Sequence, residues 1–164
     1  MIETLQMTTP SDREIAWTRK LNAPREMVFD TLTRPELIQR WLLGPDGWSM
    51  PVCEVDLRVG GQFRYVWQHK DNGKMAMRGV YKEIVRPEKL VHTEIFEESW
   101  YPGEAIATTI LKAEGDQTIL TTRMLYETRE ARDGVMKSNM EKGMAVSYKN
   151  LADLLSEIAA GANK

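Results

Sequence analysis

The sequence predicts an α+β fold in which a curved antiparallel sheet wraps around one long C-terminal helix. Three observations predict it. Met136, Met140, Met144, Tyr148, Leu151, Leu155 and Ile158 recur in steps of three and four, which puts one apolar stripe on a single helical face between about Arg129 and Ala160. Upstream, from Trp48 to Tyr126, the period drops to two and short turn signals separate the segments, as in an antiparallel meander. A closing helix of about 45 Å, at 1.5 Å per residue, is the one element long enough to cover a face of that sheet.

Residues 1–12 are mostly polar, with Thr8, Thr9 and Pro10, and predict a flexible lead-in before a single domain over 13–160. From Arg13 the chain alternates, with Ile15, Trp17, Arg19 and Leu21 on one side of a half-buried strand. Pro24 suits the first turn of a helix, and Met27, Val28 and Leu32 continue it at helical spacing until Thr33-Arg34-Pro35 interrupts. A second short helix follows, burying Leu37, Ile38, Trp41 and Leu42. Gly44-Pro45-Asp46-Gly47 forms a turn, and Trp48–Leu57 is extended. Gly60-Gly61 leads into Gln62–Gln68, where Phe63, Tyr65 and Trp67 share a sheet face. Asp71-Asn72-Gly73 signals a hairpin, and its partner strand, Lys74–Val85, sets Met75, Met77, Gly79 and Tyr81 on one parity. Strands over Lys89–Glu98, Glu104–Ala113 and Thr118–Tyr126 complete the meander. Thr128 or Asp133 caps the closing helix, and Gly161 sits where it stops.

Composition narrows the function classes. The formal net charge is −2 with both signs interspersed, which points away from nucleic acid and from anionic membrane surfaces. A lone cysteine, Cys53, rules out an internal disulfide and predicts a reducing, cytoplasmic setting. Two histidines and one cysteine make a poor ligand set, so no metal is expected, and no motif calls for a cofactor. Gly60-Gly61 precedes a strand rather than a helix, which argues against a phosphate cradle. No apolar run resembles a signal peptide or is long enough to span a bilayer. Whether any reaction is catalysed is left open, since no nucleophile elbow is present.

The helical stripe changes character along its length, from Met136, Met140 and Met144 to leucine and isoleucine. Methionine is flexible and polarizable and adapts to partners of varied shape. Gly143, among the methionines, costs about 1 kcal/mol relative to alanine and needs a reason. One reason is close packing on a strand; the other is room for a guest. In the second case Phe63, Tyr65, Trp67, Met75, Met77 and Tyr81 line a cavity with Met136, Met140 and Met144, and Trp41, Trp48 and Trp100 form its rim. His92 and Glu94 share a strand face with Leu90 and Phe96. Such a pair orients a ligand, works as acid and base, or is simply a hydrogen-bonded strand pair. The inward parity stays open, because one bulge reverses it.

Laid out in order, the segments resemble a known family. Arg19-x-x-x-Ala23-Pro24-x-x-x-Val28-Phe29 and Thr33-x-Pro35-x-Leu37-Ile38-x-x-Trp41 resemble the opening of START-like (SRPBCC) proteins, in the branch of homologues of the activator of the heat-shock protein 90 ATPase. Asp56-Leu57-Arg58-Val59-Gly60-Gly61-x-Phe63 and Gly79-Val80-Tyr81-x-Glu83-Ile84-x-x-Pro87-x-x-Leu90-Val91 are similar to its central hairpins. Ala131-Arg132-Asp133, Met140-x-x-Gly143 and Leu151-x-x-Leu154-Leu155 resemble its closing helix. The chain departs from that pattern at Trp41-Leu42-Leu43-Gly44-Pro45, where relatives often have paired tryptophans before the Gly-Pro, and at Met144, where they often carry a tryptophan. The resemblance implies a helix-grip fold with an apolar cavity between sheet and helix. It leads us to expect a small apolar or aromatic ligand; the rival readings are a cyclase- or hydrolase-like enzyme using that pocket, and a chaperone-associated interaction module. The eukaryotic co-chaperone carries a separate chaperone-binding domain for which this chain has no room, so heat-shock protein 90 is not an expected partner. A homodimer is left open.

Overall fold

The computed structural model describes residues 5–162, apart from 72, 99 and 139. The expected turn residue Asn72 therefore lies outside the described residues. The elements run β1 (Gln6–Thr8), β2 (Glu14–Leu21), α1 (Arg25–Thr33), α2 (Pro35–Trp41), β3 (Trp48–Val55), β4 (Gln62–His69), β5 (Gly73–Val85), β6 (Lys89–Phe96), β7 (Ala105–Glu114), β8 (Gln117–Leu125), α3 (Arg129–Met136) and α4 (Met140–Ala162). The strands make one unclosed antiparallel sheet in the order β1-β2-β8-β7-β6-β5-β4-β3. From β3 to β8 each strand pairs with the next, as short connections dictate. The first long strand, β2, joins the far end by pairing with β8. This is the α+β helix-grip arrangement, and none of its described helices is long and apolar enough to cross a membrane.

Three local expectations need correcting. Within the stretch read as a loose lead-in, Gln6–Thr8 pair with Ala16–Thr18 as an edge strand. The closing helix is broken in two. Thr128 caps α3 by accepting the Ala131 N–H, but Ser138 then donates to the Val135 carbonyl and accepts from the Met140 N–H, so its hydroxyl replaces the helical ladder at that point. Gly161 lies inside the last turn of α4 rather than beyond it.

The core forms where the C-terminal half of α4 meets α1 and α2. Leu151, Leu154 and Leu155 are buried with Val28, Phe29 and Ile38. Gly79 fixes a second dense point. A methyl group there would lie 2.5 Å from the Phe63 ring and closer still to the Thr93 carbonyl, so the aromatic edge of Phe63 occupies the space a side chain would need. Gly79→Ala is accordingly expected to destabilise the protein by roughly 1–3 kcal/mol, read as a lower urea midpoint at unchanged slope.

Candidate functional site

Between the sheet and the N-terminal half of α4 lies a cavity of about 850 Å³. Its origin is legible in side-chain size. On the inward parity of β7 the small Ala107 and Thr109 line the cavity, and α4 contributes Gly143 and two methionines to its wall. A methyl group on Gly143 would meet nothing nearer than Pro45 Cδ at 3.9 Å. Close packing on a strand therefore does not explain this glycine; it borders open space.

The inward parity of the central strands is the aromatic one, and it divides. Tyr65 and Trp67 on β4 and Met75 and Met77 on β5 line the cavity, as do His92, Glu94 and Phe96 on β6 and Met140, Gly143 and Met144 on α4. Phe63 and Tyr81 share the parity but lie outside the lining, 2% and 1% exposed. Their rings pack with centroids 5.4 Å apart, tilted by 48°, and fill the sheet end near Gly79. Met136 also lies outside, 38% exposed, because α3 turns Ala131 and Val135 inward instead. Trp41 is a buried wall rather than rim, whereas Trp48 and the exposed Trp100 lie towards solvent.

Sequence reasoning overlooked the far wall: Trp17 on β2, Thr122 and Met124 on β8, Tyr126, and the Leu42–Pro45 loop. The signal was available, since Trp17 lies on the inward side of its alternating strand and Thr122, Met124 and Tyr126 share one parity. The loop gave no such signal. It is tied to α4 by the Gly44 N–H, which donates to Ser147 Oγ at 2.9 Å, and to the sheet by Trp67 Nε1, which donates to the Leu42 carbonyl at 2.7 Å.

Much of the wall's polarity is satisfied internally. Trp17 Nε1 donates to the Tyr148 hydroxyl at 3.0 Å, Trp41 Nε1 to the Thr31 carbonyl at 2.7 Å, and the hydroxyls of Thr109 and Thr122 bond each other at 2.8 Å. What remains facing the cavity is mostly ring and thioether.

His92 and Glu94 are the half-buried acid and base of the lining, whereas Lys74 and Glu98 lie exposed at its edge. The separation of His92 Nδ1 from a Glu94 oxygen is 3.7 Å, too long for a hydrogen bond. Nδ1 instead contacts the Thr93 carbonyl at 3.2 Å; a carbonyl only accepts, so the neutral ring carries its proton there and leaves Nε2 as acceptor. Burial pushes His92 down to about 4, against the opposing pull of that backbone bond. Burial pushes Glu94 up to about 7. At neutral pH the two therefore form no ion pair. Phe63 packs edge-on against the imidazole at 4.9 Å and holds it in place.

Comparison with known proteins agrees with the fold. A protein of Rhodobacter sphaeroides matches with a TM-score of 0.88 and 29% identity, over 94% of this chain and 99% of its own. One from Chromobacterium violaceum matches at 0.78 and 29%, over 88% and 98%. A third, from Nitrosomonas europaea, matches at 0.81 and 25%, over 92% and 98%. No curated protein matches the chain. The model of the family described as Activator of Hsp90 ATPase homolog 1-like protein matches residues 22–156, which takes in every element from α1 through most of α4. With its ordered strands and closing helices in that family's arrangement, the chain belongs to the Activator of Hsp90 ATPase homolog 1-like family.

Proposed function

We propose that the protein binds a small, predominantly apolar molecule of aromatic character in the cavity between the sheet and α4. One observation carries the reading: about 850 Å³ of space is walled by aromatic rings and methionines whose polar neighbours are largely committed to one another. That volume falls within the roughly 300–1,000 Å³ of small-molecule sites. Affinity would come from apolar burial, at about 25 cal/mol per Å². Met140 and Met144 would adapt to the guest's outline. A single cysteine, Cys53, supports a reducing compartment such as the cytoplasm, and burial, which pushes its thiol up to about 12, keeps it unreactive.

The test is binding of an uncharged aromatic fluorophore such as prodan, followed by its emission shift. Gly143→Trp, which fills the cavity from its helical wall, is expected to weaken binding at least about tenfold, or 1.4 kcal/mol, with the circular dichroism spectrum unchanged. Gly143→Ala should bind as the unmodified protein does, because its methyl group meets only Pro45. Equal binding by the tryptophan variant would place the fluorophore elsewhere and defeat the proposal.

A further inference from the structure

We infer, building on the small-molecule reading above, that the ligand carries a protonated aliphatic amine on its aromatic body and that Glu94 is the counter-charge that receives it. Glu94 projects from β6 into the cavity and accepts no hydrogen bond from a described residue. Among the described residues no buried cation offsets it. On its own strand it faces His92, neutral near pH 7 and committed to the Thr93 carbonyl. From the other elements it faces phenols: Tyr65 on β4, Tyr101 before β7, Tyr126 after β8 and Tyr148 on α4. All four are raised first by burial and further by the Glu94 charge, so all stay uncharged. Lys74 and Glu98, also in the lining, are both exposed.

A half-buried carboxylate that no described cation faces is costly, and natural sites rarely keep one without use. Here it shares the cavity wall with Tyr65, Phe96, Tyr101 and Tyr126, and aromatic rings attract cations. The two features together fit an ammonium group: the carboxylate supplies the charge-assisted hydrogen bond, and the rings accept the remaining positive surface. A ligand carboxylate would meet repulsion from Glu94 and find no cation to offset it.

Three probes of nearly equal size separate the possibilities on the full chain: naphthylethylamine, naphthylethanol and naphthylpropionate, each followed by calorimetry. At pH 8 the amine should bind about tenfold or more tightly than the alcohol, the scale on which an opposite charge at about 4–6 Å shifts a carboxyl's proton affinity, and the propionate most weakly. Below about 7 the amine's affinity should fall, approaching tenfold per pH unit, because Glu94 must first release a proton; the alcohol's should not. In Glu94→Gln the amine's advantage over the alcohol should vanish, and the pH profile of the unmodified protein gives the same answer without any variant. Equal affinities for amine and alcohol, or a flat pH profile for the amine, would overturn the counter-charge role and leave the apolar site standing. If none of the three binds, the small-molecule reading falls and this inference falls with it.

Discussion

At pH 8 Glu94→Gln is expected to be more stable than the unmodified protein by on the order of 3 kcal/mol, and at pH 4.5 the two should be nearly equal. Burial raises the carboxyl from its ordinary 4.5 to about 7 in the folded state. Between those values the folded chain holds a proton that the unfolded chain has released. The associated stability is therefore complete below pH 4.5 and is lost as pH rises through about 7. Glutamine, neutral at every pH, escapes the loss. His92 runs the other way: held down to about 4 from 6.5, it contributes stability above 6.5 that is lost as pH falls through 4. In the unmodified protein the two terms oppose each other between about pH 6.5 and 4.5. Removing Glu94 should expose the histidine term alone, so the variant loses stability on acidification more steeply than its parent. Urea unfolding from pH 8 to 4.5 checks both arms; a difference that stays constant with pH would mean that burial does not set the Glu94 proton.

The same residues show what the sequence could and could not reveal. Strand parity, turn chemistry and the helical stripe located nearly every element, because each is a local pattern of one period. The break before Met140 escaped that logic: apolar spacing runs smoothly through Ser138, and what interrupts the helix is a single hydroxyl bonding backwards to Val135. Parity likewise placed Phe63, Tyr65, Trp67, Met75, Met77 and Tyr81 on one face without saying which of them fill space and which border it. That division depends on cross-strand neighbours, above all on Gly79, which admits the Phe63 ring. His92 and Glu94 were visible as a same-face pair, but their charge states were not, since these follow from burial among aromatic groups on β4, just after β8 and on α4 that lie far away in sequence.

Leu151→Ala should cost about 2–5 kcal/mol, whereas Met140→Ala should cost less than about 1 kcal/mol, although both residues belong to one apolar stripe of α4. Leu151 is fully buried among neighbours that cannot close over the gap, so truncation loses both transfer energy and packing. Met140 is half-buried and already borders the cavity, so shortening it enlarges a space that exists and removes few contacts. Chemical denaturation of both variants distinguishes a helix that seats flush along its whole length from one that seats only at its C-terminal half: comparable costs would mean that the methionine end is packed as tightly as the leucine end. The contrast should also respond to an occupant. With prodan present in excess over its dissociation constant, the folded state gains stability by mass action, and a variant that binds more weakly gains less. The cost of Met140→Ala should then grow while that of Leu151→Ala stays fixed, because only the first side chain reaches the guest.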